Sequence, residues 1–204
     1  MRKFLLKFHL EMYTFVVAVI ILLGVLNVYE VTLVRKLLLI VLAIGVFHEW
    51  EEKRWPGGFF ETVGTVWGWD VEKVDMRAPG QWVVYAWLVI VGIPLIFDDF
   101  EGLALAPIFL SVFEAVIHTA GRKITQTKGV YFPGIITAWI IGIAGVYCIV
   151  VLSQNNMITA IDCVVGIVFL VVVFISLQAL IQKSAGSSIP EMLSTMKNRR
   201  KNNL

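Results

Sequence analysis

The sequence predicts an all-α polytopic membrane protein with about six transmembrane helices and an interfacial helix between the second and third. Three observations lead there. Of 204 residues, 58% are hydrophobic and only 16% charged, and the mean hydropathy is +0.82, far more apolar than one soluble core requires. The apolar residues fall in six runs, each close to the ~20 residues that a helix needs to cross the hydrocarbon core. The basic residues outside those runs gather on alternate loops, as the positive-inside rule requires.

The start of the chain carries Arg2, Lys3 and Lys7 ahead of apolar residues with no small-residue cleavage site after them. Tyr13 to Tyr29 is therefore expected as a retained first span rather than a cleaved signal. The second run, Leu33 to Trp50, has Arg35 and Lys36 near its start, and these must extend to the headgroups. In the loop from Lys53 to Gly80, Phe59, Phe60, Val63, Val66 and Trp67 recur at helical spacing beside Glu61 and Trp69, the pattern of a helix lying flat in the interface.

Gln81 to Phe97 and Leu103 to Ala120 supply the third and fourth spans. Pro94 and Pro107 lie within them and predict kinks or the wall of a cavity. The fifth, Phe132 to Leu152, repeats Gly134, Ala138 and Gly142 every four residues, which lets two helix backbones approach closely. Packing within the chain is the commoner use of such a face, and an oligomer seam is the alternative. In the sixth, Met157 to Ile181, Asp162 reads as a cap or an outer-water residue. Gln182 to Ser188 then forms a small-residue linker, and Pro190 stops a simple continuation of the helix. Residues 1–182 thus read as one transmembrane domain and residues 183–204 as a basic, polar cytoplasmic tail suited to anionic headgroups.

Six spans place both termini on the cytoplasmic side of a cell inner membrane. The inner side then holds Arg2, Lys3 and Lys7; Lys53, Arg54, Lys73 and Arg77; Arg122, Lys123 and Lys128; and Lys183, Lys197, Arg199, Arg200 and Lys201. The outer side holds the acidic turn Asp98, Asp99, Glu101 and the uncharged turn from Ser153 to Asn156. Trp55, Trp67, Trp69 and Trp82 fit an interfacial aromatic belt. With 17 Lys and Arg against 15 Asp and Glu, nothing points to nucleic acid as a partner. Cys148 and Cys163 lie in apolar runs, without the spacing of a disulfide framework or a zinc ribbon.

Ionisable residues inside such helices carry most of the functional information. His48 shares a helix face with Glu51 and Glu52, and in the fourth span Glu114 and His118 are four apart on another face. The topology brings both groups to the same leaflet. Either they neutralise one another and nearby basic residues, or they converge on a divalent metal or a proton-transfer site. Imidazole and carboxylate ligands at helical spacing suit zinc, iron or manganese. The expected metal ligands are His48, Glu51, Glu114 and His118, with Glu52 or Glu51 as the base that takes a proton from water in hydrolysis of a lipid or membrane-embedded substrate. His9 is a further ligand candidate or an interfacial anchor. The same groups would also serve a small proton- or cation-coupled transporter, and a non-catalytic scaffold is the third expectation.

The segment FHEWEEKRWPGGFF, Phe47 to Phe60, resembles the bacterial membrane family named for its His-x-x-Glu-Glu motif, the HXXEE family. FEAVIHTAGRK around Glu114 and His118, and YFPGIITAW from Tyr131, are similar to that family's second half, where a histidine precedes a basic loop and a Pro-Gly turn. The resemblance covers most of the chain from the second span to the fifth and implies that His48, Glu51, Glu52 and His118 belong to one site; it implies no particular reaction. The Glu-Glu-x-x-x-Arg motif of CAAX-type intramembrane proteases is not met, because Pro56 stands where the arginine should fall. Motifs such as HExxH, Gly-x-Ser-x-Gly and phosphate-binding glycine loops are also absent.

Overall fold

Periodic apolar sequence with few internal breakers yields eight helices in the computed structural model, which describes residues 2–125 and 131–202. They are α1 (Arg2–Val25), α2 (Leu33–Lys53), α3 (Phe59–Trp67), α4 (Arg77–Ile96), α5 (Glu101–Ile124), α6 (Ile135–Gln154), α7 (Ala160–Ser184) and α8 (Ile189–Asn202). Lys128, assigned above to the inner side, lies outside the described residues, as do the last two residues of the tail and the side chains of Arg2, Lys3, Arg200 and Lys201.

Among the described residues, five helices are long and apolar enough to cross a membrane: α1 from Phe4, α4, α5, α6 and α7. The second expected span, now α2, is the exception. Its uninterrupted apolar stretch runs from Leu37 to Phe47, about 16 Å at 1.5 Å per residue and roughly half the hydrocarbon thickness. Lipid does not surround it, because α2 contacts α1, α4, α5 and α6. Leu38, Val41 and Leu42 are buried in the main core with Leu10 and Tyr13 of α1, Trp87 and Ile90 of α4, and Leu105 and Ile108 of α5. Buried on the same helix are His48, Glu49, Glu51 and Glu52, so protein groups rather than lipid must meet their polar atoms.

At the other end of α2, Arg35 does not reach for headgroups as expected. Its Nη2 pairs with Asp98 Oδ1 at 2.6 Å, and its Nε donates to Leu95 O at 3.1 Å, a carbonyl at the end of α4 with no helical partner of its own. Thr32, the N-cap of α2, donates to the other Asp98 oxygen at 2.6 Å. The basic residue that fits the charge asymmetry least well is thus held by the acidic turn beside it.

The small-residue face of the fifth run packs within the chain. Ala138 is buried, and a Cβ added at Gly142 would lie 2.8 Å from the Ala115 Cβ, while one at Gly145 would lie 2.9 Å from Ile108 O. Here α5 packs on Ala138 and Gly142, the use within the chain that the spacing favours, and Gly134 lies outside the helix as its N-cap. Asp162 is a cap, as expected: its carboxylate accepts from Thr159 N at 2.9 Å, and Thr159 Oγ1 accepts from Asp162 N at 3.2 Å. Pro94 and Pro107 sit inside continuous helices.

Beyond α7 the tail is not merely a polar strand of chain but the helix α8, with Pro190 in its first turn, where the missing N–H has no helical partner to lose. It packs on α3. Met192 lies against Gln182, and Thr195 against Gly68. The buried Gln182 accepts from Trp69 Nε1 at 2.8 Å. Trp69 is therefore a core residue, not part of an aromatic belt, and it joins Phe60, Val63, Phe132 and Ile181 in a second apolar cluster. This cluster roofs the polar end of α2.

Candidate metal centre

The last two turns of α2 and the corresponding stretch of α5 face one another, so the two four-residue spacings converge. His48 Nε2 lies 3.5 Å from Glu52 Oε1 and 3.8 Å from Glu114 Oε2. His118 Nε2 lies 3.0 Å from Glu52 Oε1 and 3.4 Å from Glu114 Oε2. One ligand atom from each of His48, Glu52 and His118 falls within 4.8 Å of the others, and all three residues are buried. The imidazoles meet edge to face with centroids 4.9 Å apart, and Phe59 and Phe132 pack on His118.

Neighbouring groups fix which nitrogen of each ring carries the proton. Pro133 O, which can only accept, lies 2.9 Å from His118 Nδ1, so that nitrogen is the donor; in the neutral ring Nε2 keeps its lone pair, and in the charged ring it donates to the Glu52 and Glu114 oxygens 3.0 and 3.4 Å away. Thr137 spends its hydroxyl proton on Glu51 Oε2 at 2.5 Å. Its oxygen is then left to accept from His48 Nδ1 at 3.0 Å, and His48 Nε2 is bare as well. Both Nε2 atoms face the Glu52 and Glu114 carboxylates. His118 Nε2 is buried without a hydrogen-bond partner despite the Glu52 oxygen 3.0 Å away, the geometry of two acceptors facing a common centre rather than each other.

Such a ring of acceptors repels itself unless positive charge lies within it. Glu49, Glu52 and Glu114 are met by one ammonium, that of Lys53, which pairs with Glu49 and stands 3.8 Å from Glu52 Oε2. Glu49 is also held by Trp87 Nε1 at 2.9 Å. The donor set fits a divalent ion. A tetrahedral site with bonds of about 2.0–2.2 Å has edges of roughly 3.3–3.6 Å, and the contacts from Glu52 to the two imidazoles, 3.5 and 3.0 Å, lie near that range. Two imidazole nitrogens and one carboxylate oxygen, from His48, His118 and Glu52, are donor types used for zinc, iron and manganese, and Glu114 stands beside them.

Glu51 is not in this ring. Its Oε1 accepts from Tyr131 Oη at 3.0 Å and Ile136 N at 3.2 Å, and its Oε2 accepts from Thr137 N at 2.7 Å and from the Thr137 hydroxyl. It caps the N-terminus of α6, where the helix dipole favours negative charge and the first amides lack helical partners. Burial, reinforced by this carboxylate, pushes the Tyr131 phenol up to about 12, so Tyr131 remains a donor at neutral pH. The expected roles of Glu51 as ligand and base are corrected: every acceptor position is taken, and Glu51 acts on the site only through Thr137, which orients His48.

His9 is also outside the ring. Its Nδ1 meets Leu6 O at 2.9 Å, and its Nε2 is buried without a partner in a cavity of about 100 Å³ shared with Glu52, Lys53, Arg54 and Arg77. On the other side of the cluster, Glu114 ends a narrow cleft between α4, α5 and α7, lined by Trp87, Ile90, Leu110, Leu170 and Leu177. The sequence reading brought His48, Glu52, Glu114 and His118 together and missed Pro133, Thr137, Tyr131, Glu49 and Trp87. The YFPGIITAW segment was the signal for the first three, since its Pro-Gly turn opens α6.

Gly134 links the fold to the site. It has φ +84°, and a Cβ added there would fall 2.6 Å from His118 Cε1 and 2.8 Å from Glu52 Cγ. Gly134→Ala is therefore expected to displace both ligands and lower divalent-metal affinity by about tenfold or more, measured by competition with a chelating dye. No protein-family model, curated protein or solved structure matches the chain.

Proposed function

We propose that the protein is a metal-dependent membrane enzyme, a hydrolase acting on a lipid or another membrane-embedded substrate. The observation that carries this reading is the pair of imidazole Nε2 atoms facing two carboxylates in a buried pocket. His48, Glu52 and His118 hold the ion. When bound, a divalent ion supplies Lewis acidity, which polarises the substrate and makes water acidic near neutral pH. Glu114 is the less enclosed carboxylate of the four-residue ring, with 18% of its side chain exposed, and it faces the cleft; it takes the proton from the attacking water. Glu51 and Thr137 hold His48 in the tautomer the site needs, and Pro133 does so for His118.

In the same proposal α2 is a sixth span, shielded by its neighbours, and α3 lies in the interface. Both termini and the metal centre are on the cytoplasmic side of the inner membrane, following the alternation of basic and acidic turns. Membership of the HXXEE family is proposed on His48, Glu51 and Glu52 together with the His118 and Pro133–Gly134 segments.

The test is turnover of ester and phosphoester lipids by the chain reconstituted in vesicles. The expected result is hydrolysis abolished by chelation, restored by one divalent metal, and slowed about 100-fold or more in kcat by Glu114→Gln with metal content retained. Proton or cation flux abolished by Glu114→Gln, without turnover of any lipid, would contradict the enzyme reading and favour a coupled carrier.

A further inference from the structure

Two cavities of opposite character end at the same cluster. Glu52 lines the polar one and Glu114 the apolar one, and each carboxylate lies within 3.4 Å of His118 Nε2. The polar cavity is built by α1, the end of α2, α3 and the start of α4. Its volume of about 100 Å³ is roughly that of three waters, room for one small polyatomic anion. Its walls bring Lys53, Arg54 and Arg77 together.

The two guanidiniums are already oriented. Arg54 Nη2 meets Glu11 at 2.8 Å, and Arg77 grips Asp75 through Nε and Nη2 at 2.8 and 2.9 Å. An arginine has five N–H donors, so each keeps donors for a second anion, and a guanidinium fork matches phosphate geometry. Glu61 also lines the cavity. The carboxylate of Glu52 is turned away toward the imidazoles. His9, 6% exposed, also lines the cavity, and its Nε2 is buried with no hydrogen-bond partner among the described residues. An unpaired polar nitrogen in a closed site costs free energy unless a ligand meets it.

We propose that this cavity binds the phosphate headgroup of an anionic amphiphile, held by His9, Lys53, Arg54 and Arg77. The inference rests on the enzyme reading above and narrows its substrate to phosphate-bearing lipids, with Glu52 the side chain that the cavity shares with the cluster.

The test is calorimetric binding to the full chain in phosphatidylcholine nanodiscs, with dihexanoyl phosphatidic acid, dihexanoyl phosphatidylcholine and inorganic phosphate as probes, and with metal content measured in parallel. The phosphatidic acid is expected to bind at least tenfold more tightly than either other probe. Arg77→Gln, at an exposed position that tolerates change, is expected to remove that preference with metal content unaltered, and His9→Leu to weaken it. Equal binding of both lipids, or a preference untouched by Arg77→Gln, overturns the headgroup site. Inorganic phosphate binding as tightly as the phosphatidic acid overturns the lipid assignment. Selectivity kept in a chain that binds no metal supports the headgroup pocket and refutes the enzyme reading alone.

Discussion

His118→Ala is expected to lower divalent-metal affinity by about 100-fold or more, roughly 2.7 kcal/mol. Its Nε2 is the atom closest to both carboxylates, 3.0 Å from Glu52 and 3.4 Å from Glu114, and its removal leaves one imidazole and two anions that repel each other. The substitution also opens a void against Phe59 and Phe132, which costs stability by itself. His118→Gln retains most of the volume and separates the effects: it should show the same loss of metal affinity with a smaller loss of thermal stability. Thr137→Val supplies the graded case. It touches no ligand atom, yet it frees the His48 ring to turn, and such outer-shell changes typically cost 10- to 100-fold. Dye competition reads all three.

The second large effect falls on stability instead. Glu51→Gln is expected to destabilise the folded chain by about 3 kcal/mol or more, a fall in Tm of roughly 10 °C for a chain of this size. Four donors converge on this carboxylate: the Tyr131 phenol, Ile136 N, Thr137 N and the Thr137 hydroxyl. A glutamine keeps one acceptor oxygen and turns an N–H₂ group toward donors, so part of the buried N-terminus of α6 is left unpaired. Thermal unfolding in detergent, with and without saturating metal, checks it. A ligand role for Glu51 would give the opposite pattern, with the apo chain unaffected and the metal-dependent part of the stability lost.

These two residues also mark where sequence reasoning reached its limit. The apolar runs were legible because bilayer thickness and helical rise together dictate their length, and α1, α4, α5, α6 and α7 follow them. The pairings of His48 with Glu52 and of Glu114 with His118 were legible because four residues return to one helix face. Choosing between Glu51 and Glu52 was not. Adjacent residues point about 100° apart, so the rotation of α2 about its axis decides which carboxylate meets α5 and which meets α6, and that rotation is set by packing. Arg35 shows the same limit: it was read as reaching for headgroups, whereas Asp98, distant in sequence, sits beside it. The short apolar stretch of α2, already set apart in the sequence by Arg35 and Lys36, is contacted by α1, α4, α5 and α6, with Ile40 and Phe47 left exposed. The docking of α8 on α3 depends on Gln182, Trp69 and Thr195 meeting across more than a hundred residues of chain, which no local pattern encodes.

Elemental analysis of the chain, purified without an affinity tag that carries metal, tests the centre most directly. The expected result is about one divalent ion per chain, with chelation lowering thermal stability and His48→Ala abolishing the bound ion. A chain free of stoichiometric metal, with a melting temperature indifferent to chelation and to added zinc, iron or manganese, would contradict it and leave the four side chains as a proton-sharing or charge-pairing group.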